Sequence, residues 1–299
     1  MISNRCDCTR ANIIWVCKNL GLNYEFIFND CLYFEYNKIY DEVGLNVKIS
    51  SSSDNIFILS DRYELELKKY NTTSFLYKAL CNDEILMVEM DTYFCRWTKY
   101  YSKQHIGHRF VVTRLNQDYL AIYDPFFGAY NLEIKICEII EHIFCIFYFE
   151  VTPNKRERNE ILDIFSNRLY RYKNRDILKE GTMFCDDIYR ELKLSEDKKS
   201  HIEENIILQD LRYLSFNRYN YADTLFFLQT KYQLDFDLKS YIQQIKSIGK
   251  RWEMFNLMVV KCILKKKSDN IECVLQCLRK ILQDEYNMVV NILYLLEQN

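Results

Sequence analysis

A chain of 299 residues, 49% of them hydrophobic and 27% charged, has the composition of a globular protein and can bury a sizeable core. Its formal net charge of −2 provides no overall positive field for a phosphate backbone, which excludes nucleic acid as an expected partner. The twelve cysteines follow no apolar leader after Met1, which favours reduced thiols and a cytoplasmic location.

The first predicted element is a helix over residues 8–20. Apolar residues recur on one side of this segment, and Gly21 follows it as a suitable C-cap. Cys8 is therefore expected at the helix N-terminus, where unpaired backbone N–H groups and the helix dipole favour a thiolate. Residues 22–80 are expected to form mixed small helices, with a helical run at 62–70.

Strand-like sequence follows this helical region. Three segments rich in β-branched, aromatic and other apolar residues, at 85–93, 108–114 and 119–124, are predicted strands. Residues 116–118 separate the last two and are expected to form a hairpin turn. The N-terminal half is therefore predicted to contain an antiparallel sheet.

The predicted hairpin brings a histidine and an aspartate together. If its turn centres on Asn116, His108 and Asp124 are directly opposed, with Cβ atoms roughly 5 Å apart. The His108 face continues through Phe110, and this apolar stripe is expected to bury against the helix that carries Cys8.

After Pro153 the sequence becomes charged and helix-forming, with apolar residues at spacings of three and four. We therefore predict two domains, a catalytic domain at 1–152 and a helical domain at 153–299. The C-terminal half contains no glycine-rich phosphate loop and no second nucleophile with its own base, which favours an architectural or recognition role.

Metal and membrane sites are not expected. The close cysteine pairs, Cys6 with Cys8 and Cys273 with Cys277, lack the second Cys or His pair of a structural zinc site. No segment approaches the roughly 20 apolar residues that a membrane-spanning helix needs.

One constellation indicates nucleophilic chemistry. A cysteine first, a histidine about a hundred residues later and an acid at the end of the next strand form a distinctive order. Cys8 is the predicted nucleophile, His108 its base and Asp124 the residue that orients the imidazole. Cys6 remains the alternative nucleophile, and His105 is either a second base or a solvated side chain.

Several segments together carry a family resemblance: Cys8-Thr-Arg-Ala-Asn, Gly21, Val88-Glu-Met-Asp-Thr-Tyr93, Tyr100, His105-x-x-His108, Val111 and Tyr123-Asp124-Pro125. With these segments, the chain resembles the papain-like N-terminal region of butirosin biosynthesis H-type acyltransferases over roughly residues 4–150. That group is similar to the peptidase domains of bacteriocin-exporting transporters, and the amide-forming enzyme of closthioamide assembly is a similar case.

The resemblance implies an α+β, papain-like fold in which the N-terminal helix bearing the cysteine packs on an antiparallel sheet, joined here to an all-helical C-terminal domain. It also implies an activity, in which Cys8 takes an acyl group from a carrier-protein thioester and passes it to a small amine. His108 would deprotonate the thiol and then the amine, while Asp124 orients His108.

The implied setting is nonribosomal-peptide-type biosynthesis of a natural product. The expected partner is an acyl or peptidyl carrier protein, and no separate cofactor is expected because phosphopantetheine arrives on that carrier. Basic clusters at 155–158, 168–173 and 265–267 would suit an acidic carrier surface, or they are simply solvated helix faces.

The oxyanion donor and the acyl-binding cleft are further expectations. Papain-like enzymes usually carry glutamine six residues before the nucleophile, a position that holds Ile2 here, so Asn4 is the candidate side-chain donor beside the backbone N–H of the nucleophile. Tyr93, Trp97 and Tyr100 are candidate substrate-binding residues, because aromatic walls suit acyl pockets, or they are ordinary core.

Two other function classes remain open. A cysteine peptidase or thioester hydrolase would use the same three residues with water as the acceptor. A non-catalytic scaffold or binding module would retain the fold alone, and its thiol would react with alkylating agents slowly.

Overall fold

The computed structural model describes residues 6–29, 31–32, 34, 36, 38–41, 44–47, 58–59, 63–71, 73–82, 84–153, 157–194, 206–234, 236–265 and 271–298. The α-helices are α1 (Cys8–Asn19), α2 (Thr73–Cys81), α3 (Arg158–Lys173), α4 (Ile177–Leu194), α5 (Ile206–Lys231), α6 (Lys239–Lys265) and α7 (Ile271–Gln298). The strands are β1 (Lys38–Asp41), β2 (Gly44–Val47), β3 (Ile58–Leu59), β4 (Tyr63–Tyr70), β5 (Leu86–Asp91), β6 (Gly107–Asn116), β7 (Tyr119–Asp124), β8 (Ala129–Lys135) and β9 (Ile143–Pro153).

These elements confirm the α+β class and the C-terminal helical region. Among the described helices, none has the length and apolar composition needed to cross a membrane.

The chain divides into two compact units, each made from two stretches of sequence. The first is Met1–Ile27 with Asp54–Arg156, and the second is Phe28–Ser53 with Glu157–Asn299. A single division after residue 152 would place Phe28–Ser53 in the first unit, whereas the structure groups it with the C-terminal helices. Phe34 shows why, because its ring centroid lies 5.9 Å from that of Phe184 and 6.1 Å from that of Trp252.

An antiparallel sheet forms the centre of the first unit. Its strand order is β3-β4-β9-β5-β6-β7-β8, and β3 contributes only two residues. The central strands alternate apolar side chains toward the core, as expected for a sheet covered on its faces. Helix α2 packs on one face through a fully or nearly buried core of these residues: Leu76, Ala79, Leu80, Leu86, Val88, Met90, Phe110, Val112, Leu120, Ile122 and Ile146.

Helix α1 packs against strands β6 and β7 of this sheet. The Trp15 ring centroid lies 4.3 Å from that of Tyr123, and Asn12 Nδ2 donates a 2.6 Å hydrogen bond to the Arg109 carbonyl oxygen. Phe110, which shares a face of β6 with His108, joins the core beneath α2, and that core includes no described residue of α1. The predicted apolar stripe is therefore buried, but the expectation that it packs against α1 is wrong, because α2 covers that face.

The helix predicted at residues 62–70 is also wrong, since this segment is strand β4. It pairs antiparallel with β9 from Tyr63 opposite Pro153 to Tyr70 opposite Ile146. Apolar and charged residues alternate along the segment, and Leu65 is fully buried, so the period is two and the packing is that of a sheet.

The predicted N-terminal helix is confirmed as α1, and its C-terminal cap explains where it ends. Gly21 adopts a positive φ of 67°, which glycine tolerates at no steric cost. Its amide donates to the Lys18 carbonyl, while the Leu22 amide donates to the Cys17 carbonyl at 2.8 Å. These two bonds form a Schellman motif, which satisfies carbonyls that the helix end leaves unpaired.

The second unit contains a buried ion pair between two of its helices. Arg218 in α5 and Glu285 in α7 are both fully buried, with Arg218 Nε 2.7 Å from Glu285 Oε1. Trp252 and Tyr172 donate to the same carboxylate at 2.7 and 2.9 Å. Arg218 also donates to the carbonyls of residues 31–32, each at 3.3 Å. One charged network therefore ties four helices of this unit to the segment that includes residues 31–32.

Candidate active site

The start of α1 is fixed by its capping residue. The Asp7 carboxylate accepts a 2.8 Å hydrogen bond from the Arg10 amide, which satisfies one unpaired N–H of the first turn. The Arg10 guanidinium returns to the same carboxylate at 2.9 Å. Cys8 follows the cap as the first helical residue, and its side chain is half-buried. The thiol therefore lies at the helix N-terminus as predicted.

Three predicted residues meet at this helix end. His108 Nε2 donates a 2.7 Å hydrogen bond to Asp124 Oδ2, and the Cys8 side chain is hydrogen-bonded to the same imidazole. Because Nε2 is committed to Asp124, Nδ1 is the ring atom left for the Cys8 thiol. His108 is only 3% exposed and Asp124 is fully buried, so their interaction is shielded from water.

The hairpin holds His108 and Asp124 in a register that differs from the predicted one. Strands β6 and β7 pair from Asn116 opposite Tyr119, and a bulge shifts the register between Val112 and Arg114. Continuing the shifted register sets Asp124 opposite Phe110, which makes His108 its diagonal neighbour. Without the bulge, the register near the turn would set Asp124 opposite Val111 and leave His108 on the other face. Diagonal pairs lie farther apart at Cβ but remain within reach of long side chains, so the bulge makes the contact possible.

Asp124 accepts hydrogen bonds from two further donors. Trp97 Nε1 donates to Oδ2 at 2.7 Å, and the Phe127 amide donates to Oδ1 at 3.3 Å. The Trp97 ring also packs edge-on against Phe110 at 5.0 Å. Trp97 is a candidate substrate-binding residue, and the structure shows its indole N–H bonded to the carboxylate that holds His108.

The surroundings of His108 favour its charged form. Burial opposes the charge, but the hydrogen bonds to Asp124 and Cys8 outweigh this effect and raise the pKa of His108 to about 9. The imidazole is therefore expected to be protonated at neutral pH while its partners remain in place. An imidazolium beside a thiol is the arrangement that stabilises a thiolate nucleophile.

This raised pKa predicts a pH dependence of stability. A folded-state pKa above the unfolded value stabilises the protein fully below about pH 6.5, and the gain is lost as pH rises through about 9. We expect the wild type to lose on the order of 3 kcal/mol more unfolding free energy between pH 6 and pH 10 than His108→Asn. Urea titrations at several pH values measure this, and parallel pH profiles for the two proteins would contradict it.

His105 and Tyr93 form a separate contact on the surface. Their ring centroids are 4.4 Å apart and almost parallel, and His105 Nδ1 lies 2.6 Å from Asp91 Oδ2. The His105 side chain is 68% exposed. His105 therefore contacts Asp91 and Tyr93, whereas His108 is the histidine bonded to Cys8.

Two phenylalanines lie beside His108 that the sequence alone did not predict as site residues. The ring of Phe127 lies 4.9 Å from the imidazole and that of Phe126 lies 5.9 Å away, and both residues are half-buried. Tyr100 packs edge-on against Phe127 at 5.8 Å, so this predicted residue borders the site through its neighbour. The feature of the sequence that could have identified them is their position directly after Asp124 and Pro125.

Arg109 links the start of α1 to the sheet, a role that sequence reasoning also missed. Its Nη1 donates to Thr9 Oγ1 at 3.0 Å, and its Nε lies 2.9 Å from Glu89 Oε2. Asn12 donates back to the Arg109 carbonyl at 2.6 Å. These contacts join strand β6, which carries His108, to the first two turns of the helix that carries Cys8.

The remaining candidates differ in what the structure says of them. Cys6, the alternative nucleophile, is only 3% exposed, whereas Cys8 is half-buried. Asn4, the candidate oxyanion donor, lies outside the described residues, as does Ile2. Within the described ranges, no three His, Cys, Asp or Glu side chains are grouped in a way that could hold a metal ion.

Comparison of the chain with protein-family models and with curated proteins finds no match.

Proposed function

We propose that this protein is a papain-like, cysteine-dependent acyltransferase that forms amide bonds. The observation that carries the proposal is the hydrogen-bonded series from Cys8 through His108 to the buried Asp124 at a helix N-terminus. A nucleophile, a base and an orienting acid in hydrogen-bond contact are the minimum apparatus for covalent acyl transfer.

In the proposed first step, Cys8 Sγ attacks the carbonyl carbon of an acyl group held as a phosphopantetheine thioester on a carrier protein. The carbonyl oxygen becomes an oxyanion, and the backbone N–H of Cys8, at the unpaired end of α1, is one proposed donor to it. Collapse expels the phosphopantetheine thiolate, which takes a proton from the His108 imidazolium. Cys8 is then an acyl thioester and His108 is neutral.

In the second step, the nitrogen of an amine attacks the same carbonyl carbon. Neutral His108 accepts the proton that the amine loses, and collapse expels the Cys8 thiolate beside the reformed imidazolium. The amide leaves and the enzyme returns to its starting state, with Asp124 holding the His108 ring throughout. Asn4 as a second oxyanion donor, and Tyr93 and Tyr100 as substrate contacts, remain part of the proposal.

The test is direct capture of the acyl-enzyme. Incubation with an acylated carrier protein should increase the mass of the Cys8 peptide by that of the acyl group, and hydroxylamine should remove the addition. Cys8→Ser should give no thioester, whereas Cys6→Ser should react as the wild type does. No adduct with any of a panel of acylated carriers, from a protein that is folded, would overturn the proposal.

The acceptor is tested in the same reaction by adding amines. Amide product that forms only with an amine supports acyl transfer, whereas release of free acid at the same rate without any amine identifies a hydrolase. A Cys8 thiol that alkylates no faster than a free cysteine would favour the non-catalytic alternative.

A further inference from the structure

We infer that Trp97 is a positioning residue for the proposed nucleophile: its indole N–H fixes the Asp124 carboxylate that orients His108. This inference rests on the proposed function only in taking Cys8 as the reacting atom. It concerns the orientation of the base, and it does not depend on which acyl donor or acceptor the protein uses.

The hydrogen-bond geometry carries the inference. Trp97 Nε1 and His108 Nε2 both donate to Asp124 Oδ2, each at 2.7 Å, while the Phe127 amide donates to the other oxygen at 3.3 Å. Donors on both oxygens restrict rotation of the carboxylate. Because Asp124 is fully buried, water does not replace a lost donor without rearrangement of the site.

The position of Trp97 in the chain supports a dedicated contact. It lies in the connection between β5 and β6, whose ends pair as Asp91 opposite Gly107. Within this connection Thr92 Oγ1 donates to the Gln104 carbonyl at 2.9 Å, which closes the base of the loop. Both ends of the loop therefore lie at the start of β6, the strand that carries His108, and the loop places the Trp97 indole N–H against the Asp124 carboxylate.

Trp97 also has a packing role, because its ring lies 5.0 Å from that of Phe110. Replacing Trp97 with 3-benzothienylalanine distinguishes this packing role from the hydrogen bond to Asp124. That amino acid has nearly the shape of tryptophan but carries sulfur in place of the indole N–H. Loss of packing is therefore minimal, while the hydrogen bond to Asp124 is removed.

The measurement is the rate at which iodoacetamide alkylates Cys8 at pH 7, followed by mass spectrometry of the Cys8 peptide. Hydrogen bonds to charged groups contribute enough to make a loss of about tenfold the expected result for the benzothienyl protein. Trp97→Phe should lose at least as much. The matched control applies both replacements at Trp15, whose ring packs on Tyr123 and which is not among the described donors to Asp124, and these should change the rate by less than about twofold.

Two outcomes overturn the inference. Wild-type reactivity in the benzothienyl protein, together with a slow Trp97→Phe, assigns Trp97 to packing alone. Wild-type reactivity in both shows that the hydrogen bond does not position the base. Because the assay needs no acyl donor, failure of the acyl-enzyme experiment with a reactive Cys8 would remove the proposed function and leave this inference standing.

Discussion

Replacing His108 by alanine is expected to slow acylation of Cys8 by about 10²- to 10⁴-fold. The substitution removes the imidazole that is hydrogen-bonded to the thiol and that Asp124 holds from the other side. The variant then lacks the group that takes up and returns the proton in both proposed steps of acyl transfer. Single-turnover kinetics with a small acyl thioester as donor measure the rate without involving carrier recognition.

His105→Ala is the matched control, because it removes a histidine three residues away that is bonded to Asp91 instead. Its acylation rate should stay within about twofold of the wild type, as expected for a surface substitution away from the reacting groups. Equal losses in the two variants, or a larger loss for His105→Ala, would overturn the assignment of His108 as the base.

Removing the buried carboxylate of Glu285 is expected to destabilise the second unit by about 3–5 kcal/mol. Glu285→Ala leaves the Arg218 guanidinium fully buried without its counter-charge, and it removes the acceptor of Trp252 and Tyr172. Urea unfolding followed by far-UV circular dichroism measures the change, because the described helices of this unit give most of the signal.

Glu272→Ala provides the comparison, since Glu272 pairs with Arg279 across 3.5 Å on the exposed surface of α7. Its loss should cost less than about 1 kcal/mol. The double variant Arg218→Met with Glu285→Leu should be more stable than Glu285→Ala, because it leaves no uncompensated charge in the core. A stability of Glu285→Ala close to that of Glu272→Ala would contradict the prediction.

The sequence predicted the parts of the site that depend on local pattern. Helix periodicity and Gly21 placed Cys8 at a helix N-terminus, and both hold in α1. Alternation and a polar turn placed His108 and Asp124 on adjacent strands, which β6 and β7 confirm. Each of these features is determined by residues close together in the chain, so single-sequence reasoning reaches them.

Contacts between distant segments were not predictable in the same way. The turn at residues 117–118 and the bulge after Val112 together set Phe110 opposite Asp124, and the local alternation of apolar residues does not predict an unpaired strand residue. The aromatic side chain of Trp97 suits the wall of a pocket, and the sequence does not predict that its N–H donates to the buried Asp124 carboxylate, because that contact depends on the path of the loop. The segment predicted as a helix at 62–70 is strand β4, because its partner β9 lies about eighty residues away in the sequence and the local pattern does not predict that pairing.

The buried network of the second unit has a consequence for the order in which the chain is made. Cys31 leaves the ribosome long before Arg218, which follows it by 187 residues and donates to its carbonyl. The Cys31 carbonyl is therefore synthesised long before the Arg218 guanidinium that donates to it. His108 and Asp124 are only 16 residues apart and are synthesised almost together. Ribosome-bound chains that end before Arg218 should thus contain the hairpin of the candidate site while the second unit still lacks the charge that ties its two stretches of sequence together.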